Sequence, residues 1–483
     1  MSPRRVVVAG YGMAAARLAE LVRAADPAGE RVALTVVGAE PRPAYNRVLL
    51  SGVLAGTLTP ADIALHDRGW AERNRVGVRL GVPVTGLDRR GRRVRLADGT
   101  SLGYDDLVLA TGGRPWLPPV EGLSDGRGGP AEGVATLRDL ADCLRIRELA
   151  RPGAPVAVLG GGVLGVETAL GLAAAGARVT LIHPAAHLME RHLDRTAGMI
   201  LARLCRAAGV RTAIGAAAVR HDPGEGVKLD DGSVVPAALT VVTAGTRPET
   251  ALAARAGLAA DGGIAVDDRL RTADPRVRAL GDCARAGTPP QGLLRPAWEQ
   301  AAVLAGLLTG TAPDARYHAG APVTRLRAGG VDLTAFGETR LETDSADAEV
   351  ISYADPARGM YAKVALDGDR VIGAIALGLP DAAAALVQLH DDGAPTPADR
   401  PGLLLGRALP PAAGPGPDSL PGTALVCRCN SVTKAALLRA VRETGGDVAA
   451  LARATRATTG CGDCLPAVRR LAARRHETEG TPA

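Results

Sequence analysis

Apolar residues fall in short unbroken runs along this chain, and most runs end in glycine and lead into a segment of helical character. Residues 5–9 (RVVVA) read as a strand, 16–23 as a helix and 32–37 as a second strand. The same order returns at 156–159, a helix to about residue 175, and a strand at 179–183. Three further strands end in small residues: 107–112 (LVLATG), 241–248 (VVTAGTRP, which repeats that ending) and 277–282 (VRALGD). From 317 to 378 the pattern turns to short β segments, with turns at Gly329-Gly330 and Asp367-Gly368. Residues 381–422 are rich in Ala, Pro, Gly and Asp and read as a linker. Beyond it, Ser431 suits the N-cap of a helix to about Glu443, which Gly445-Gly446 ends. Asp447 caps a short helix over 448–455, and Pro466 suits the first turn of a third.

The glycines between strand and helix carry chemistry. Residues 10–15 are G-x-G-x-x-A and residues 160–165 are a full G-x-G-x-x-G. Glycine lets the backbone approach a pyrophosphate, and the helix start behind it offers free N–H groups and a positive dipole end. After the first loop, Glu40 is a carboxylate placed to take ribose hydroxyls, somewhat further on than the usual spacing of about 20 residues. After the second loop the corresponding acid is missing: His183 stands there, with His187, Arg191 and His192 nearby. A carboxylate favours the 2′-hydroxyl of NADH and cations tolerate a 2′-phosphate, so these residues leave NADH and NADPH both open.

Four of the seven cysteines lie in the last sixty or so residues, as C-x-C (Cys427, Cys429) and C-x-x-C (Cys461, Cys464). The helix pattern puts both pairs at helix starts, where N–H groups and dipoles stabilise thiolates. A zinc site, two disulfides and an iron–sulfur cluster each use four cysteines. C-x-C is tight for tetrahedral zinc, and a reducing compartment disfavours disulfides. Cys143, Cys205 and Cys283 are isolated and read as packed thiols.

Together the segments LVLATG, VVTAGTRP and VRALGD and the two glycine loops resemble the two-dinucleotide-binding flavoproteins, the pyridine nucleotide–disulfide oxidoreductase superfamily. The stretch AEPRPAYNRVLLSGVLAG (39–56), with Leu188–Arg191 and Trp298–Ala301, resembles the flavoprotein part of assimilatory nitrite reductase large subunits. It is similar also to the electron-transfer subunits of assimilatory nitrate reductases. VCRCNSVTK and TTGCGDCLP resemble the two motifs of bacterioferritin-associated-ferredoxin-like domains, which implies that Cys427, Cys429, Cys461 and Cys464 hold one 2Fe–2S cluster.

The resemblance implies an α/β fold: two Rossmann-like dinucleotide-binding domains of the glutathione-reductase type, a small α+β interface domain and a small helical 2Fe–2S domain. The expected divisions are 1–116 with 241–315 for FAD, 117–240 for NAD(P), 316–380 for a β-rich interface domain, 381–422 for the linker and 423–475 for the cluster. The implied FAD contacts are Gly10, Gly12, Met13, Ala14, Glu40, Arg47, Thr111, Gly112, Arg114 and Asp282. For NAD(P) they are Gly160, Gly162, Val163, Leu164, Gly165, Glu167 and Gly245. Glu167 and Glu299 are the candidates for the flavin–nicotinamide contact, although each could be an ordinary helix residue. Gly52 stands where some ferredoxin-reductase relatives place lysine.

The chain has no cysteine before Cys143, so it lacks the redox disulfide that many of these relatives carry after the first βαβ unit. A sirohaem and 4Fe–4S centre would need four more cysteines, and three isolated ones remain. The implied reaction is therefore hydride transfer from NADH or NADPH to FAD, then single electrons through the cluster to a separate acceptor. That acceptor is expected to be a molybdenum-containing nitrate reductase catalytic subunit. The alternatives are a ferredoxin or rubredoxin reductase, a partner-dependent nitrite reductase flavoprotein, or, in another class, an iron-handling or redox-sensing module.

Composition adds two points. Aromatics are 2% of the 483 residues, so the cores must be built from Ala, Val and Leu. Of the net charge of +6, residues 423–475 carry ten Lys/Arg against three Asp/Glu, so the excess sits on the tail. That charge suits solvated helix faces or docking to an acidic protein. No stacking aromatics accompany the arginines, which argues against nucleic acid. No signal peptide is visible and no apolar run reaches the ~20 residues of a membrane span, so a cytoplasmic protein is expected.

Overall fold

The computed structural model describes residues 2–287, 290, 292–320, 322–342, 344–345, 348–407, 417–427, 430, 432–458 and 464–473. The chain divides into two compact units.

The first comprises Met1–Arg47, Pro60–Trp116 and Ala244–Pro322. Its centre is a five-stranded parallel sheet in the order Val277–Ala279, Asp106–Leu109, Arg4–Ala9, Val32–Val37, Gly77–Arg79. The central strand is apolar on both faces because both are covered, as parallel sheets require. Val6 and Val8 pack with Leu18, Ala19 and Val22 of the Met13–Ala25 helix and with Leu304 and Leu308 of the Leu294–Thr309 helix. Val7 and Ala9 face Leu107, Leu109 and Val277. The first helix starts three residues earlier than periodicity alone suggested, directly at the glycine loop.

The second unit holds Val48–Thr59, Leu117–Thr243 and Val323–Ala483. It repeats the parallel design in the order Arg211–Ile214, Arg178–His183, Pro155–Leu159, Leu239–Val242, Val134–Thr136. It also contains a five-stranded antiparallel sheet: Val323–Ala328, Val331–Gly337, Arg370–Leu377, Met360–Asp367, Glu349–Asp355. Gly329, Gly330 and Gly368 take positive φ in its hairpin turns, as their positions in the sequence suggest.

The supposed linker departs from expectation. Pro380–Asp392 is a 13-residue helix with proline in its first turn, and Arg400–Leu404 is a second, short helix. Ala385, Leu386, Leu389, Leu403 and Leu404 pack on Phe336, Ala362, Val364 and Ala374. Composition misleads here because alanine, counted as linker, is both a strong helix former and a core residue in a chain this poor in aromatics. Residues 408–416 of that stretch lie outside the described residues.

One buried polar knot ties two parts of this unit together. Asp194 caps the Arg195–Ala207 helix by accepting from the Ala197 N–H at 2.9 Å. It also accepts from Tyr361 Oη at 2.6 Å and Lys363 Nζ at 3.0 Å, both on the Met360–Asp367 strand. Burial and the Asp194 carboxylate both push the Tyr361 phenol up, so it stays a donor. Among the described residues no helix is long and apolar enough to cross a membrane.

Removing one partner of a buried ion pair leaves the other uncompensated, so Lys363→Met should cost about 3–5 kcal/mol in chemical denaturation. Lys363→Met combined with Asp194→Asn should recover part of the loss, because the remaining buried group is then neutral.

Candidate functional site

Each glycine loop is a close backbone approach. A Cβ on Gly10 would lie 2.1 Å from the Ala110 carbonyl oxygen, and the residue takes φ +113°. A Cβ on Gly165 would lie 1.7 Å from the Gly160 carbonyl and 2.9 Å from Thr243 Oγ1. Gly12 and Gly162, by contrast, face open space. They are the N-caps of Met13–Ala25 and Val163–Ala174, and neither helix has a side-chain cap. An α-helix leaves its first N–H groups without internal partners. Uncapped helix starts beside bare glycine fit a bound pyrophosphate in both units. Met13 and Ala14, and Val163 and Leu164, are the first helical residues at these openings.

The other expected FAD residues gather in the first unit. Glu40 accepts from Tyr45 Oη at 2.7 Å and pairs with Arg47, whose guanidinium lies 5.1 Å from the Tyr45 ring centre. The Arg47 N–H reaches Met13 Sδ at 3.3 Å, which fixes this carboxylate–guanidinium pair beside the first loop. Gly281 takes φ +75° with its Cβ direction 3.2 Å from Ala14, so the Gly281–Cys283 turn carrying Asp282 meets the same helix start. Gln300 Oε1 accepts from the Gly281 N–H at 2.7 Å, so the Trp298–Ala301 segment contributes through glutamine. Glu299 instead pairs with Arg295 one turn back at 3.1 Å, an ordinary helix-surface arrangement.

The two repeated segments pair with each other. Gly113–Pro115 and Thr246–Pro248 form a two-stranded antiparallel ribbon. Thr111 Oγ1 donates to the Glu249 carbonyl at 2.6 Å, the Glu249 N–H donates to the Gly112 carbonyl at 2.8 Å, and Arg114 lies 3.7 Å from the Glu249 carboxylate. Gly245 accepts from the Trp116 N–H at 3.0 Å. Expected as a nicotinamide contact, Gly245 therefore belongs to the first unit, with Thr111, Gly112 and Arg114.

The second loop holds a residue that the linear reading missed. His183 Nδ1 accepts the Gly161 N–H at 3.1 Å, so the ring proton sits on Nε2, which lies 2.9 Å from Glu190. Gly161 must be glycine for this: a Cβ there would lie 2.7 Å from the His183 ring. A carboxylate thus stands beside the second loop after all, seven residues past the strand end and in contact with the histidine there. Of the supposed cations, His192 is pushed down by burial and stays neutral, while Arg191 is exposed and lies 3.8 Å from Glu190. A search for an acid at fixed spacing passes over Glu190; the signal available was its place in the LMER stretch already singled out.

Glu167 follows on the same helix. The residue keeps some exposed surface, but its carboxyl lies deep among protein atoms, and burial raises it to about 8 against the weaker opposing effect of the nearby Arg327 backbone amide. Near neutral pH it is largely protonated.

Of the four tail cysteines, Cys429 and Cys461 lie outside the described residues. Cys427 and Cys464 are both buried. Cys464 precedes the Leu465–Ala473 helix, as the pattern suggests. Cys427 does not stand at a helix start: it ends the Leu425–Cys427 strand, which pairs with Val432–Thr433. The helix beyond is capped by Thr433, not by Ser431, which lies outside the described residues. The Thr458 N–H points at Cys464 Sγ at 3.2 Å, and Asn430 Nδ2 donates to the Arg456 carbonyl at 2.6 Å, joining the two cysteine motifs. Arg456 and Thr458 take φ +60° and +69°, and the Thr458 N–H is the one turned toward sulfur. A buried thiol that receives an N–H bond fits an iron–sulfur cluster. The other three thiols are each buried apart: burial raises Cys143 to about 11 and Cys205 to about 12, and pushes Cys283 up as well.

Comparison with known proteins agrees with this geometry. Residues 4–305 match the pyridine nucleotide-disulphide oxidoreductase family, 322–388 the rubredoxin NAD+ reductase C-terminal domain, and 425–474 the BFD-like [2Fe-2S] binding domain. The chain is 32% identical to the nitrite reductase [NAD(P)H] of Bacillus subtilis (strain 168), over 98% of this chain and 58% of that protein. It is 31% identical to the assimilatory nitrate reductase electron transfer subunit of the same organism, over 98% of this chain and 60% of that one. It therefore spans less than two thirds of both relatives. The covalent putidaredoxin reductase–putidaredoxin complex superposes with a TM-score of 0.70 at 28% identity, covering 84% of this chain and 94% of that one. The matched families imply FAD, NAD(P)H and one [2Fe–2S] cluster as cofactors. With most of its length matched in this way, the chain belongs to the pyridine nucleotide-disulphide oxidoreductase family, as an NAD(P)H oxidoreductase with a [2Fe–2S] domain behind the flavoprotein.

Proposed function

We infer that this protein takes electrons from NADH and delivers them singly to a separate protein, the catalytic subunit of a molybdenum-containing assimilatory nitrate reductase. When bound, FAD accepts a hydride and the [2Fe–2S] cluster carries one electron at a time. The chain's own residues bind and orient. Gly10, Gly12 and the Met13–Ala25 helix start would hold one pyrophosphate, with Glu40 and Arg47 on the adjoining ribose side. Gly160, Gly162, Gly165 and the Val163–Ala174 helix start would hold the nicotinamide nucleotide, with Glu167 near its reactive end. Cys427, Cys429, Cys461 and Cys464 would ligate the cluster. Reduced thiols of this kind suit a cytoplasmic protein.

The observation that carries the reading is a cluster domain attached to a flavoprotein whose other thiols stand alone. Cys143, Cys205 and Cys283 are buried separately in thiol form and offer neither a redox disulfide nor a second metal centre. Electrons then leave through the tail. An electron transfer subunit of a nitrate reductase, similar over nearly the whole of this chain, supports nitrate reductase as the acceptor. NADH is favoured because Glu190, held by His183, presents a carboxylate beside the second loop, as a free 2′-hydroxyl requires.

Cys464→Ser should leave NADH-driven reduction of an artificial dye within about twofold and lower transfer to the protein acceptor by a hundredfold or more, roughly 3 kcal/mol of lost function. Equal loss of both activities would place the cluster off the exit route. For Glu190→Ala, KM for NADH should rise about tenfold or more, the worth of one charge-assisted hydrogen bond of about 1.5–3 kcal/mol, with KM for NADPH unchanged or lower. A parent enzyme that prefers NADPH would contradict this assignment.

Glu167 gives a pH test. Its folded-state value lies above the unfolded one, so its contribution to stability is complete below about 4.5 and is lost as pH rises through about 8. Glu167→Gln, which mimics the protonated form, should flatten that decline. At pH 8–9 its Tm should exceed the parent's by roughly 1–2 °C for each kcal/mol of strain relieved, as a chain of this size implies.

A further inference from the structure

The tail read as a tethered module is seated on the second unit, and one arginine links it to the nicotinamide helix. Arg327 lies on the Val323–Ala328 strand, which packs on the Val163–Ala174 helix; at the next turn Gly329 fits against Leu170, where a Cβ would come within 3.2 Å. The Arg327 backbone amide lies near the Glu167 carboxyl and works against its upward shift. Its guanidinium donates to the Thr458 carbonyl at 3.3 Å and is braced by Asp332 at 3.1 Å across the hairpin. Thr458 in turn directs its N–H at Cys464 Sγ at 3.2 Å.

We propose that Arg327 is the positioning residue that seats the cluster loop against the nicotinamide-binding half, so that the loop is held in place instead of loosely tethered. The proposal rests on the functional reading above and names the internal contact that this reading needs. Electron transfer over many ångströms needs a fixed gap, and a domain on a loose tether does not supply one. The ion pairs between the tail and neighbouring segments are poor candidates for this role. Arg469–Asp381 has both side chains about half exposed, and exposed pairs contribute little and are screened by salt. The Arg327–Asp332 pair is only 23% and 29% exposed, which preserves its attraction and its geometry. The arginine fork also satisfies Asp332 and the Thr458 carbonyl together, which the single ammonium of lysine does less well.

Any substitution of Arg327 other than proline keeps the backbone amide and the strand's packing on the Val163–Ala174 helix, so side-chain variants isolate the contact to the tail. Two readouts on the full-length protein decide the matter. In cluster-free protein, hydrogen–deuterium exchange of residues 456–458 and 464–468 should accelerate about tenfold in Arg327→Ala, because the loop loses its anchor. In loaded protein, single-turnover mixing with NADH should bleach the flavin at the parent rate and the cluster about tenfold more slowly. Arg327→Lys should fall between parent and alanine variant in both, and Arg469→Ala should match the parent. If Arg327→Ala fails to fold, Asp332→Ala reads the same contact through its brace. Parental exchange and parental cluster bleaching in Arg327→Ala would overturn the proposal. A parent protein that forms no cluster would instead sink the functional reading, and the exchange measurement would still judge the latch.

Discussion

Everything that the two nucleotide sites can do depends on backbone touching backbone. At Gly10 the loop lies so close to the Ala110 carbonyl that a methyl group would overlap it, and at Gly165 the same holds against Gly160. That crowding lets each helix start at the end of a strand and face open space with its first N–H groups uncommitted. A side chain at either glycine would push the helix off the sheet, and the anion site would close with it. The third position of the loop differs between the units: Ala15 is tolerated in the first, whereas the second has room only for glycine.

This constraint explains what was legible in the sequence. Strand, glycine loop and helix are contiguous, so their chemistry is written in consecutive residues and survives being read one position at a time. The VVTAGTRP and LVLATG segments were legible for the same reason, although their pairing into one ribbon was not. Glu190 was illegible because its contacts pass through space: it meets His183, and His183 meets Gly161 of the loop. A rule of the form "an acid after the second strand" has no place for a carboxylate delivered by a neighbour. The stretch after residue 380 failed for a compositional reason. In most chains a segment of Ala, Pro, Gly and Asp is a linker, but here alanine does the packing that aromatics do elsewhere.

Scarce residue types mark where specificity was needed. The sole phenylalanine, Phe336, seats the Pro380–Asp392 helix, with its ring centre 4.9 Å from that of His390. Of three lysines, Lys363 is buried against Asp194, where a compact ammonium meets one carboxylate oxygen and one carbonyl. Arginine's wide planar fork would need more acceptors than this pocket holds.

The tail's positive charge has a narrower meaning than its sum suggests. Arg469 and Arg470 are paired with Asp381 and Asp418, and Lys434 Nζ donates to the carbonyls of Asp418 and Leu420. These groups face segments of the same chain that precede the tail. Arg439, on the Lys434–Thr444 helix, and Arg453, on the next and 3.9 Å from Asp447, are exposed and can act on an approaching protein. Charges of that kind alter the rate of encounter, weaken with ionic strength and add little to the bound state. Holding the tail against its own chain and meeting another protein would therefore be separate electrostatic tasks, performed by different arginines.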